Sequence, residues 1–367
     1  MSVPAPRSCI MNLNPYIPGD SHTYGAGKIY NLSANENPLG ASDKVCQALA
    51  EASRNIASYP DGGANELRQA IARKYGLNAE QIICGNGSDE LISLLANTYI
   101  REGDEAIYSQ HGFIVYPIAI TAAGGRPVVA PEKDLKTDVD AILAKVSPKT
   151  RLVFLANPNN PTGSYLPFDE VVRLQKGLPS HVLLVLDAAY AEYVSRNDYA
   201  AGIELVSSSS NVVMTRTFSK IYGLAGLRLG WLFAPSHIID ILNRVRAPYN
   251  INSMALAAGI AAIHDDEHIM KSVVHNARWI DTLSQELSAL GLVVTPSVCN
   301  FLLVHFPEKS GKSAREADRY LRSHGLIPRM MTSYGLPEAL RISIGTEEAN
   351  RKLILILKDF LKEKNTL

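Results

Sequence analysis

TFSKIYGLAGLRLGW, Thr217 to Trp231, sets Lys220 beside hydroxyl-bearing neighbours in a glycine-punctuated loop whose only other charged residue is Arg228. An exposed lysine is a hydrated point charge with a pKa near ~10.4, whereas a partly buried one loses its proton readily and becomes an amine nucleophile. Surface lysines are the commoner kind. Here Phe218, Ile221, Leu224, Leu227 and Leu229 surround the two cations, a composition suited to cover rather than to solvent.

Outward from this loop, between about Ala79 and Ala234, short apolar runs alternate with longer amphipathic stretches. That alternation predicts strands and helices in a mostly parallel sheet covered on both faces, an α/β fold. The strand candidates are Gln81 to Cys84, Glu105 to Tyr108, Leu152 to Leu155, Val182 to Leu186, Val212 to Thr215 and Leu229 to Phe233. From Ala255 onward the pattern changes to a long helix, GLVVTPSVCNFLLVHF, LRISIG and a closing helix, which reads as a smaller α+β unit. The expected division is an arm over 1–38, a large domain over 39–254 and a small C-terminal domain over 255–367, a total length suited to more than one unit.

Composition narrows the function classes. Lys+Arg and Asp+Glu are 36 each, so no net field steers the chain to nucleic acid or an anionic membrane. The apolar stretches fall short of the ~20 residues a membrane span needs, and the proline-broken MSVPAPRSCIMNLNPYIPG does not read as a secretory signal. Cys9, Cys46, Cys84 and Cys299 lack paired spacing and read as reduced cytosolic thiols.

In an open α/β sheet ligands bind beyond the carboxyl ends of the strands, so the residues after each apolar run matter most. Gln81 to Cys84 leads into GNGSDE, where Gly87, Ser88 and Asp89 open a helix whose first amides can hold an anion. Leu152 to Leu155 leads into ANPNNPTG, a turn stiffened by prolines that offers the Asn160 amide. Val182 to Leu186 ends on Asp187, with Tyr190 following. An aspartate there is either a helix N-cap or a carboxylate meant for a cationic ligand atom, because carboxylates are rarely buried unpaired. Val212 to Thr215 leads to Ser219, Lys220 and Arg228. Amine, carboxylate and phosphate cradle on consecutive strand ends suit pyridoxal 5'-phosphate. Lys220 would hold its aldehyde as a Schiff base, Asp187 would keep the ring nitrogen protonated, and Asn160 and Tyr190 would bond the ring hydroxyl. Arg228, Ser219 and the amides near Gly87 and Ser88 would take the phosphate.

These segments resemble the fold type I pyridoxal-phosphate aminotransferases and, more narrowly, the histidinol-phosphate aminotransferase family. The resemblance spans nearly the whole chain, through NPYIPG, LSANENPLG, YPDGGANELRQAIA, GNGSDE, NPNNPTG, DAAY, TFSKIYGLAGLRLG and LRISIGT. It implies that Lys220 is both anchor and general base, that Phe113 stacks on the cofactor ring, and that Asp89 joins the cofactor set. Tyr59 matches a tyrosine that reaches the cofactor phosphate of the neighbouring subunit, which implies a homodimer with shared sites, expected in the cytoplasm. Arg341 matches the arginine that grips the substrate's acidic group, with Arg329, Tyr16 and Asn160 assisting. The implied reaction moves the amino group of histidinol phosphate to 2-oxoglutarate in two stages, within histidine biosynthesis. One site then takes a phosphate monoester and a dicarboxylate in turn, a task that suits the arginine fork. Two departures stand out: Ala188 where many relatives carry glutamate, and Phe113 where others carry tyrosine.

Alternatives on the same cofactor are an aromatic amino-acid aminotransferase and a decarboxylase of a phosphorylated amino acid; a non-catalytic ligand sensor is the alternative of a different class. HDDEH, His264 to His268, has the spacing of a metal pair but reads better as an acidic helix entry. His111, close to Phe113, reads equally as a site residue or a structural histidine. Asn31 and Asn86 fall in N-x-S patterns that carry no weight in a cytosolic chain.

Overall fold

The computed structural model describes residues 3–11, 13, 15 and 27–362. A seven-stranded sheet orders its strands Ile82–Gly85, Gly230–Phe233, Val212–Thr217, Leu183–Asp187, Thr150–Ala156, Glu105–Ser109 and Arg126–Ala130. Every pairing is parallel except those of Gly230–Phe233, which runs antiparallel to both neighbours. Six strands coincide with the apolar runs. The seventh, Arg126–Ala130, is an edge strand that begins with an exposed arginine and a proline, so it lacks the unbroken apolar signature of a strand buried on both faces. Leu183–Asp187, by contrast, is buried at every position.

Side chains alternate between two cores, as the pleat requires. Leu184 and Leu186 face the core shared with helices Asp43–Ala52, Asn65–Tyr75, Phe168–Gly177 and Ser253–Ile263. Leu183 and Val185 face the core shared with Ser88–Tyr99, Val115–Ala123 and Ser236–Val245. A second, antiparallel sheet orders Val293–Thr295, Phe301–His305, Leu336–Ser343 and Arg329–Met331. It has its own core, with Leu302 and Leu340 packed against Trp279, Leu321 and Leu353 from helices Asp266–Ala289, Ala314–Ser323 and Glu347–Lys362.

Helix Ser253–Ile263 still buries Ala255, Ala258 and Ile263 in the large-sheet core. The change of core falls along the next helix, where Ile269 and Val273 pack against the large core and Trp279, Leu283 and Leu287 lie in the small one. Upstream, Tyr30–Asn31 pairs in parallel with Leu326–Ile327 beside the small sheet. The chain then crosses to the rim of the large sheet, where Asn35 Nδ2 donates to Tyr190 OH at 2.9 Å and Asn37 Nδ2 donates to the Ile221 carbonyl at 2.7 Å. No helix among the described residues is long and apolar enough to cross a membrane.

Candidate active site

A cavity of about 360 Å³ opens at the carboxyl ends of the parallel strands, where the small sheet closes over them. The large sheet and its loops contribute Ser88, Asp89, Phe113, Asn160, Asp187 and Tyr190. Ser219, Lys220 and Arg228 come from the lysine loop, and Arg329 and Arg341 from the small sheet. Gly87 caps helix Ser88–Tyr99 just behind the wall. Tyr59 does not join them: it is 81% exposed and stacks on Tyr249 with ring centroids 4.7 Å apart. Tyr16 lies outside the described residues.

Lys220 follows directly on Val212–Thr217, and its Nζ donates to the Ala34 carbonyl at 3.1 Å while lying 5.9 Å from the centre of the Tyr190 ring. Withdrawal from water, followed by the nearby Arg341, pulls its pKa down to about 8, against the opposing pull of Asp89 and Glu36. The amine is therefore available as a nucleophile near neutrality.

Asp187 ends its strand buried at 5% exposure. Its carboxylate accepts from Tyr116 OH at 2.8 Å and from Thr215 Oγ1 at 3.2 Å, and no described cation pairs with it. Burial pushes its pKa up to about 6, with Asp89 adding to the rise and the two hydroxyls opposing it. A carboxylate so placed at the wall of a cavity is complementary to a ligand cation.

The anion cradle depends on two glycines. A Cβ on Gly87, which has φ +84°, would stand 2.5 Å from an Arg228 terminal nitrogen, and one on Gly230 would stand 2.6 Å from the Ser88 amide. Without them the guanidinium and the helix amides could not converge. Arg228, itself in the left-handed region at φ 55°, donates to Ser219 Oγ at 3.4 Å and to the Ala225 carbonyl at 3.0 Å, and pairs with Asp89 at 3.2 Å. A non-glycine residue held at positive φ costs of order 1–3 kcal/mol, a strain that clusters at functional sites.

At the opposite end of the cavity Arg329 and Arg341 lie directly across from each other on neighbouring antiparallel strands. Like charges in that register destabilise a sheet unless an anion lies between them. Arg341 is 7% exposed; it donates to Asn160 Oδ1 at 2.6 Å and to the Ser33 carbonyl, and its guanidinium lies 5.4 Å from the Phe301 ring centre. Asn160 thereby joins the two ends of the cavity.

Sequence reasoning missed four contributors. Tyr116 reads as an ordinary core aromatic, yet it packs edge-on against Phe113 at 5.9 Å while bonding Asp187. Asn35 and Glu36, within the NENPLG motif, line the cavity, and so does Tyr334. His264 and His268 each bond a backbone carbonyl, of Ile260 and Gly40, and the acidic residues Asp266 and Glu267 occupy the first turn of Asp266–Ala289.

A family model described as aminotransferase class I and II matches residues 27–357. Histidinol-phosphate aminotransferases of Rhodopseudomonas palustris, strains HaA2 and TIE-1, are 56% and 55% identical to the chain over 362 residues, 98% of this chain and 99% of each relative. The crystal structure of histidinol-phosphate aminotransferase from Sinorhizobium meliloti in complex with pyridoxal-5'-phosphate is similar with a TM-score of 0.90 at 29% identity, covering 98% of both chains.

Proposed function

The chain belongs to the aminotransferase class I and II family, and from that membership we propose that it moves the amino group of L-histidinol phosphate to 2-oxoglutarate, giving imidazole acetol phosphate and glutamate in histidine biosynthesis. Its cofactor is pyridoxal 5'-phosphate, on a fold type I scaffold. One observation carries the reading: a buried carboxylate without a cation, Asp187, shares a cavity with an amine held near neutrality, Lys220.

The residues present fit that cofactor, because the unpaired Asp187 matches a protonated ring nitrogen and the glycine-lined cradle matches a phosphate. When bound, it supplies an acceptor for the electron pair left as the amino-bearing carbon of the substrate loses its proton. Asp187 would hold the ring nitrogen's charge, Phe113 would cover the ring, and Tyr190 with Asn160 would bond its hydroxyl. Ser219, Arg228 and the amides from Gly87 to Asp89 neutralise the phosphate. Lys220 would hold the aldehyde carbon covalently, and as a free amine it would be the base that takes a proton from the substrate carbon and later returns one. Arg329 and Arg341 take the substrate's phosphate in one half of the cycle and a carboxylate in the other, with Tyr16 assisting.

In this reading the cofactor-binding domain, expected over 39–254, also takes helix Ser253–Ile263, which packs in its core, the remainder of 255–367 is the small domain and 1–38 the arm, and the enzyme works in the cytoplasm as a homodimer. The exposed apolar group of Ile56, Tyr59 and Tyr249 supports that assembly, with Tyr59 completing the neighbouring subunit's phosphate site.

Steady-state kinetics test the proposal. The expected kcat/KM for histidinol phosphate with 2-oxoglutarate exceeds that for phenylalanine by orders of magnitude, and Lys220→Ala abolishes turnover and the borohydride-fixed label. A preference for phenylalanine, or release of carbon dioxide from phosphothreonine without an amino acceptor, would overturn it.

A further inference from the structure

We propose that His111 is a positioning residue of this same site: it fixes the turn that carries Tyr334, and so makes Tyr334 a specificity-determining wall at the substrate end of the cavity. The inference rests on the aminotransferase reading of the cleft. His111 is 6% exposed and lies in the loop between Glu105–Ser109 and Val115–Ala123, two residues before Phe113. Its Nδ1 lies 2.7 Å from the Tyr334 carbonyl; a carbonyl only accepts, so that nitrogen carries the proton and donates. Its backbone amide donates to Glu132 Oε1 at 3.0 Å, and its carbonyl accepts from Asn159 Nδ2 at 3.3 Å, beside Asn160. The large-sheet side thus holds the backbone of His111 twice, and the ring reaches across to the small sheet.

A second tie lies at the same place. Leu135, between Glu132–Lys133 and Lys136–Thr137, packs with Tyr334 against Leu303, Met331 and Leu336, while its carbonyl accepts from Ser164 Oγ at 2.8 Å. Tyr334 lines the cavity together with Arg329 and Arg341, and Gly335, at φ +76°, closes its turn. The turn of Tyr334 is therefore held by its backbone carbonyl on His111, and its ring packs on the Leu303, Met331 and Leu336 cluster that Leu135 also covers. The residue that sets this placement belongs to the loop that also carries Phe113, so the cofactor-covering and substrate-walling aromatics are held by one piece of chain.

Kinetics with histidinol phosphate on the cofactor-loaded enzyme test this. His111→Phe keeps a buried ring and removes the donor; the expected result is a KM about tenfold higher with kcat within about twofold and unchanged cofactor titration, the effect of one lost buried hydrogen bond. His111→Asn places its amide nitrogen near the Nδ1 position and restores most of the KM, whereas His111→Gln, whose amide matches Nε2, does not. On a Tyr334→Ala background His111→Phe adds less than about twofold, because both changes act on one wall. Unchanged KM in His111→Phe, or equal defects in the Asn and Gln variants, overturns the inference while wild-type turnover keeps the aminotransferase reading intact. Absence of wild-type turnover overturns both. Should His111→Phe fail to fold, the Asn and Gln pair still decides.

Discussion

Two buried carboxylates, a short turn apart in sequence, are satisfied in opposite ways. Glu192 is sealed against Arg216 at 2.9 Å, with side chains 8% and 5% exposed, and the guanidinium also donates to Tyr75 OH and lies 5.0 Å and 5.7 Å from the Tyr75 and Trp231 ring centres. Burial works against the Arg216 charge, but Glu192 and the surrounding phenols more than restore it, and its pKa is raised. Asp187 accepts from the hydroxyls of Tyr116 and Thr215 and from the Ala189 backbone, and pairs with no cation among the described residues. Burial with a matched cation is architecture; burial without one reserves a place for a cation that folding does not supply.

Substitution separates the two. Glu192→Gln leaves Arg216 buried without its counter-ion and is expected to cost about 3–5 kcal/mol in chemical denaturation, while the folded fraction keeps near-native kcat. Asp187→Asn reverses the pattern. Its kcat/KM is expected to fall roughly 10²–10³-fold, as when a preorganised electrostatic partner is removed, but the cofactor-free protein becomes more stable. The folded pKa of Asp187, about 6, lies above the unfolded value, so the associated stability is complete below the unfolded pKa and is lost as pH rises through 6. Asparagine escapes that loss, giving a gain of about 2–3 kcal/mol at pH 8 that vanishes below pH ~4, read by denaturant melts at the two pH values. Loss of stability at pH 8 in cofactor-free Asp187→Asn would collapse the distinction between the two carboxylates. The smallest effect belongs to the arginine pair: Arg329→Met is expected to raise KM for the phosphorylated substrate about tenfold with kcat little changed, the loss of one charge-assisted contact, read by steady-state kinetics.

Legibility in the sequence followed the same line. Strands buried on both faces announce themselves as apolar runs, and their ends led directly to Lys220, Asp187 and Asn160. Arg126–Ala130 escaped because an edge strand needs no such run. Tyr116 escaped because its bond to Asp187 comes from the inward face of a helix, where any aromatic reads as packing. Tyr334 and Glu36 escaped because the fold brings them into the Lys220 cavity from far along the chain, a proximity with no local periodicity to betray it. The NENPLG motif was visible, but the bond from Asn35 to Tyr190 depends on the chain crossing between the sheets.

That crossing segment governs when the protein can first work. The Asn35 amide donates to Ser343 Oγ across 308 residues of chain, and Tyr30 pairs with Leu326. At synthesis rates of ~5–20 residues per second the segment emerges roughly 15–60 s before its docking partners exist. The large sheet can assemble during that interval; the cleft cannot. Leu336–Ser343 therefore recruits a segment made 308 residues earlier, and the cleft of a nascent chain stays unformed until that strand has emerged.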